Sequence, residues 1–291
     1  MQANTLTMPV DSTSSLDSAK KILESVNNFV SLGLRNLKVT CTVNQRLEAK
    51  LLDDYQFASY QLAFCAAEIS AASYFLDYCR DGSANPNQRA LALLFAGDTF
   101  QSVIERLKTS SHDIGIDSED LSTIEISAEA KALFLETQPK AVSAVGAEIV
   151  DGTIGRLPSG LDDEKELVRE SFSRFADEVV APLAEKIHRE DRDVPDEIIQ
   201  AAAQLGCFGT CIPERFGGLQ PDEKSDSVSM IVVTEELSRG SLGAAGSLIT
   251  RPEIAARALM AGGTERQQQI WLPKLASGEI LCAISITEPN T

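Results

Sequence analysis

The sequence predicts an all-α protein: a helical bundle over residues 15–137, a linker over 138–160, and a second helical domain over 161–279 that runs into one strand over 280–291. Three observations carry this expectation. Apolar residues recur at three- and four-residue steps over long stretches, which is the period of a buried helix face. Only the last residues alternate as a strand does. Between the helical regions Pro139, Gly146, Gly152, Gly155, Pro158 and Gly160 stand among single apolar residues, the composition of a linker.

Residues 1–14 are rich in Ser, Thr and Asn and are expected to form a disordered tail. A helix follows from Leu16 to about Leu34, with Leu16, Ala19, Leu23, Val26 and Val30 on one side. The next stripe is longer. From Asn44 to Cys79, Leu47, Leu51, Ala58, Leu62, Cys65, Ile69, Ala72, Leu76 and Cys79 hold one face, Tyr55 bridges a gap, and Gly82 follows as a stop. A stripe sustained that far predicts packing against other long helices, as in a bundle. Helices over Gln88 to Lys108 and Ser118 to Glu136 complete it, with Asp117 capping the second and Glu119 and Asp120 in its first turn.

The second domain opens with a helix from Asp162 to His188 that buries Val168, Phe172, Phe175, Val179, Leu183 and Ile187. Pro182 falls inside it and is expected to kink or divide it, because the ring removes an amide donor and clashes with the preceding turn. Pro195, Asp196 and Glu197 start the next helix, which ends before Gly206. After the Gly217-Gly218 turn and a polar stretch from Gln220 to Asp226, helices are predicted over Val228 to Arg239, over Leu242 to Met260, and from Thr264 onward. Gly263 suits a left-handed stop, and Thr264 with Gln267 has capping-box spacing.

Composition bounds the function classes. The chain has 291 residues, 43% of them hydrophobic, and no apolar run approaches the ~20 residues that span a bilayer. Its formal net charge of -17 argues against nucleic acid and anionic membranes as partners. A local Lys or Arg cluster can still bind phosphates. Met1 to Pro9 has neither a basic start nor an apolar core, so no signal peptide is expected and the cytoplasm is the expected compartment. Six cysteines in a chain this long do not make a disulfide framework. Cys207 and Cys211 have a spacing that invites a metal, but the two histidines, His112 and His188, lie in unrelated helical stretches. No metal is expected.

Several residues could carry chemistry. Glu235 and Glu236 are adjacent on a helix, so their side chains diverge by about 100° and cannot share a proton. A solvated face is the expected role, with an ion pair to Arg239 or Arg251 as the alternative. Arg215 and Arg239 could meet phosphates, or sit free at the surface. Phe208, Ile212, Phe216, Leu248 and Ile249 could wall an apolar pocket, or simply fill the core.

Cys282-Ala283-Ile284-Ser285-Ile286-Thr287-Glu288-Pro289 resembles the apolar strand and Thr-Glu-Pro turn of the acyl-CoA dehydrogenases. Trp271 to Glu279, Leu205 to Gly218 and Thr234 to Arg239 are similar to segments of that family and occur in the family's order. The Ala-, Gln- and Tyr-bearing stretch Gln56 to Tyr74 resembles, more thinly, the family's C-terminal helical bundle.

The resemblance implies an acyl-CoA-dehydrogenase-like N-terminal helical domain over 161–279 and the start of a β-domain over 280–291. It implies α,β-dehydrogenation of an acyl-CoA thioester with FAD as cofactor. In that chemistry a carboxylate removes the α-proton, and the β-hydride passes to the flavin. Electrons then leave through an electron-transferring flavoprotein, and the full-length members are homo-oligomers. Ile284, Ser285, Ile286 and Thr287 are the implied flavin contacts, through backbone N–H groups and the Thr hydroxyl. The family's strand continues into a Gly-Ser-Asp step, where this sequence reads Asn290-Thr291. The base and most of the flavin site are therefore expected to lie beyond it, with no catalytic residue named in this stretch and little activity in isolation. Within the family, the methylsuccinyl-CoA dehydrogenases carry an extra N-terminal domain of this kind, which implies a branched dicarboxylic thioester as substrate. A non-catalytic helical protein that binds a partner is the alternative reading.

Overall fold

A computed structural model describes residues 12–80, 84–152 and 159–288, which fall into two units divided between Pro158 and Ser159. Residues 12–14 of the expected tail over 1–14 are helical instead, while residues 1–11 and the stop at Gly82 lie outside the described residues. In the first unit, α1 (Ser12–Thr40), α3 (Gln56–Arg80) and α4 (Pro86–Ser110) pack on one another, with α5 (Ser118–Glu125) and α6 (Ala128–Glu136) closing the core. Leu16, Ala19, Leu23, Val26 and Val30 are buried against Ala58, Leu62, Cys65, Ile69, Ala72, Leu76 and Cys79, as their spacing requires. Gly33 allows α1 to approach α3 closely, since a Cβ there would lie 3.1 Å from Leu62 Cδ2.

The long stripe from Asn44 to Cys79 is not one helix. Thr42–Val43 and Arg46–Leu47 pair as a short antiparallel hairpin, and Asn44 and Gln45 both adopt positive φ at its turn. A five-residue helix, α2 (Ala49–Asp53), follows with no buried residue, and only at Gln56 does α3 begin. Leu47 is therefore exposed rather than part of the core. The segment expected as one helix to Glu136 also divides. Ser127 caps a new helix by accepting from Ala130 N–H, while Asp117 caps α5 by accepting from Glu119 N–H. At the start of α4, Asn85 and Gln88 form a reciprocal capping box with Pro86 at the first helical position.

Residues 139–150 correct the linker reading, because they form α7 (Pro139–Val150). Pro139 opens that helix at a position where its missing N–H costs nothing. Gly146 lies within it, and Gly152, just beyond its end, takes positive φ.

In the second unit α8 (Asp163–Phe175) passes through a π turn (Ala176–Val180) into α9 (Ala181–Arg189). The Ala181 N–H donates to Ala176 O, five residues back. This wider turn is how the backbone carries Pro182, whose ring would crowd an ordinary α turn. Next come α10 (Asp196–Gln204), α11 (Ser227–Ser241), a second π turn (Leu242–Gly246), α12 (Ser247–Gly262) and α13 (Glu265–Ala276). Phe172, Phe175, Val180, Ile198, Phe208, Ile212, Val233, Leu237, Ile249, Leu272 and Leu275 make the core. Between α10 and α11 the chain folds on itself through Leu219 N–H to Gly209 O and Gln220 N–H to Ile212 O, with Gly217 at φ 81°.

Thr264 and Gln267 form the expected capping box. Gly263, by contrast, is extended at φ -75°, ψ 146° rather than left-handed, and the reason for glycine there is space: a Cβ would lie 2.6 Å from Leu259 O. The predicted strand over 280–291 does not form among the described residues, where 281–288 have no regular structure. A strand exists through its ladder, and the hairpin in the first unit is the only strand pair among the described residues. No described helix is long and apolar enough to cross a membrane.

Candidate functional site

The segment that carries Ile284 to Thr287 leaves the helical core at a turn the core itself sets. Gly278 sits at φ 72°, and a Cβ there would lie 2.8 Å from Phe208 Cδ2 and 3.0 Å from Ala203 Cβ, so the turn needs glycine on both counts. Lys274 bridges it by donating to Glu279 at 2.6 Å, and Ile280 N–H donates to Lys274 O. Ile280 and Cys282 then rest against the core as partly buried neighbours. Beyond them Ile284, Ser285, Ile286 and Thr287 are exposed, Ile286 by 75%.

These four residues stand side by side on one segment, and no other element packs over them within the described residues. Their backbone N–H groups and the Thr287 hydroxyl make no hydrogen bond among the described residues. Uncommitted donors along one exposed segment fit the polar edge of a flat ring such as FAD, which has carbonyl and ring-nitrogen acceptors.

The arginines weighed as phosphate ligands are otherwise engaged. Arg215 donates to Asp222 at 3.2 Å and lies over the Phe216 ring at 4.9 Å. Arg239 donates from Nε to Glu236 at 2.9 Å, from Nη1 to Asp177 at 2.7 Å, and from Nη2 to Ser173 Oγ at 3.0 Å. Hydrogen bonding to Asp177 raises the Arg239 pKa further. Glu235 and Glu236 part company as helix geometry demands. Glu235 is solvated, but Glu236 is fully buried, which corrects the reading of a solvated pair. Its carboxylate belongs to the Arg239 network that ties α11 to α8 and the first π turn; the Arg251 side chain lies outside the described residues.

Phe208, Ile212 and Ile249 are core, with 1% or less exposed, and Phe216 and Leu248 pack against that core. Among these five, the pocket reading gives way to ordinary packing. Cys207 and Cys211 are buried free thiols, and burial pushes them up to about 12 and about 11. No metal-holding cluster of Cys, His, Asp or Glu occurs among the described residues.

One pair was not anticipated from the sequence. Lys165, at the start of α8, donates to Asp226 at 2.9 Å, and Asp226 also caps α11 by accepting from Ser229 N–H. Burial acts to raise the Asp226 pKa, yet the Ser229 and Lys165 hydrogen bonds win and hold it below the usual carboxylate range. Asp226 in front of the Ser-Val start of a helix is a legible cap; its second partner, sixty-one positions earlier, has no sequence signature.

Residues 162–279 match the family model of the acyl-CoA dehydrogenase N-terminal domain. The chain is 35% identical over 289 residues to a (2S)-methylsuccinyl-CoA dehydrogenase of Cereibacter sphaeroides, a match that covers 94% of this chain and 50% of that protein. Against a mitochondrial 2-methylacyl-CoA dehydrogenase of Solanum tuberosum it is 35% identical over 132 residues, 45% of this chain and 31% of the relative. A glutaryl-CoA dehydrogenase of Desulfococcus multivorans is 30% identical over 130 residues, 45% of this chain and 33% of the relative. The chain thus spans about half the length of the first relative and about a third of the other two.

Proposed function

We propose, from the match of residues 162–279 to the acyl-CoA dehydrogenase N-terminal domain, that the whole protein oxidises an acyl-CoA thioester across its α and β carbons with FAD as the cofactor. The observation that carries the proposal is the extent of the Cereibacter match. At 94% of the chain it must run through the first helical unit as well as the family domain, whereas the other two relatives reach less than half of the chain. That shared extension supports a branched dicarboxylic thioester of the methylsuccinyl-CoA kind as the substrate.

When bound, FAD supplies the hydride-accepting ring. The residues of this chain would act on its edge: the N–H groups of Ile284, Ser285 and Ile286 and the N–H and hydroxyl of Thr287 donate to the ring's acceptors. Ile280 and Cys282 anchor that segment to the core. No residue of this stretch is assigned as the base that takes the α-proton, and the buried Glu236 is held by Arg239. By the same reading, residues 1–291 alone hold flavin weakly and do not turn over. An electron-transferring flavoprotein as acceptor, a homo-oligomeric full-length enzyme and a cytoplasmic location complete the proposal.

The test is to purify the full-length gene product beside residues 1–291. The long form should be yellow, with stoichiometric FAD, and methylsuccinyl-CoA should bleach it in the absence of oxygen. A colourless long form refutes the flavin reading. A yellow form bleached by straight-chain acyl-CoA but not by methylsuccinyl-CoA refutes the substrate.

A further inference from the structure

The first unit holds a groove of about 560 Å3 between α4 and α6, which the reading above does not use. Its volume lies within the roughly 300–1,000 Å3 of small-molecule sites. The floor is buried and apolar: Phe100 and Ile104 come from α4, and Ala130 and Leu133 from α6. Phe134 overhangs the edge and is 56% exposed, a large aromatic that an occupant would cover.

The groove is narrowed at both ends. At one, Gly97 lets Thr137 sit directly on α4, for a Cβ on Gly97 would lie 2.1 Å from Thr137 Cγ2. At the other, Lys108 donates to Glu125 at 2.6 Å, joining α4 to the last residue of α5. The rise along α4 from Gly97 to Lys108 makes the groove about 16 Å long. A partner helix, about 10–12 Å across with its side chains, would have to run out through an end. Narrowing at both ends favours a small, elongated molecule.

Polarity runs lengthwise. The Gly97 end is apolar, with Phe100, Leu133 and Phe134, while Glu105, Lys108, Thr109 and Lys131 gather at the other. Lys108 is bridged to Glu125, whereas Lys131 and Glu105 are both exposed and make no ion pair among the described residues. We propose that this groove binds an amphiphile with a single alkyl chain, its tail against Phe100 and Phe134 and an anionic head beside Lys131. Nothing in the dehydrogenase reading depends on it.

Decanoate, kept below its micellar concentration, is the probe, titrated calorimetrically into the 291-residue chain. One saturable site is expected, with decanol binding more weakly. Lys131→Glu, an exposed substitution that leaves the fold alone, should weaken decanoate roughly tenfold while leaving decanol unchanged, the scale of reversing one charge beside an anion. Phe134→Ala should weaken both. Absence of saturable binding overturns the proposal, and so does binding that neither substitution alters. If decanol equals decanoate and Lys131→Glu changes nothing, the anionic head is wrong. If the chain self-associates, Phe134→Ala disperses it and decanoate does not compete, the groove is a protein interface and the amphiphile is excluded.

Discussion

Arg239 on α11 donates to Asp177 at 2.7 Å and so ties the helix that enters one π turn to the interior of the other. The backbones are close at the same place, since a Cβ on Gly240 would lie 3.0 Å from Ala176 Cβ. Wide turns give up regular α hydrogen bonding, and a charged clamp beside both offsets part of that loss. Replacing Arg239 by Ala removes a partner of the buried Glu236. Because Arg239 itself is half-exposed, the expected cost is about 2 kcal/mol, below that of a fully buried pair. Urea unfolding of the second unit measures it, and a loss under about 0.5 kcal/mol would place the clamp among surface pairs that contribute little.

The buried thiols set an alkaline limit. Cys207 and Cys211 stand at about 12 and about 11 when folded, against an ordinary 9.0, with burial the leading cause. Above the ordinary value the unfolded chain loses these protons while the folded chain keeps them. Their contribution to stability is therefore complete below pH 9 and drains away as the pH climbs towards the folded values. Denaturation midpoints across that range should fall steadily in the second unit. Cys207→Ala with Cys211→Ala should flatten the slope, whatever the cost of the cavities.

Two glycines should respond oppositely to a methyl group. A Cβ on Gly218 would lie 1.9 Å from Ile212 O, within the fold that buries Ile212, so Gly218→Ala should cost about 3 kcal/mol or more. Gly146 lies inside α7 with nothing within 4 Å of a Cβ, and Gly146→Ala should stabilise by about 0.5–1 kcal/mol through helix propensity alone. Paired thermal melts decide both, and a neutral Gly218→Ala would mean the Gly209 to Gln220 fold is looser than its hydrogen bonds indicate.

The hairpin turn offers a second gain. Asn44 tolerates positive φ, but Gln45 at φ 65° does so at a steric cost. Gln45→Gly supplies the Asn-Gly pair that such turns prefer and should raise the stability of the first unit by about 0.5–1 kcal/mol. No change on chemical unfolding would show that the turn is not formed in solution.

These cases also mark what could be read in advance. Helix faces were legible wherever burial follows one local period, as from Leu16 to Val30 and from Ala58 to Cys79. Breaks were not. Asn44-Gln45 stands at the head of the stripe that runs to Cys79, and the stripe concealed the turn. Ser127 is an ordinary cap that a longer pattern ran across, and the glycines near Gly146 drew attention from Pro139 as a helix start. The family domain was legible because short segments kept their order along the chain. Burial of Glu236 was not, since it depends on Asp177 and Ser173, some sixty positions away, meeting the same guanidinium. Flavin contacts at Ile284 to Thr287 came from resemblance alone, and local geometry adds only that their donors are uncommitted.

Gly278 holds a left-handed turn pressed against the Phe208 ring. The chain beyond it behaves as a lever whose fulcrum is buried. A small displacement of that ring, by a neighbouring substitution or by thermal expansion of the core, becomes an angular error that grows with each residue towards Thr287. Natural variation at Phe208 and Gly278 should accordingly be coupled, and a displacement of the segment from Ile284 to Thr287 can begin at a side chain buried in the core.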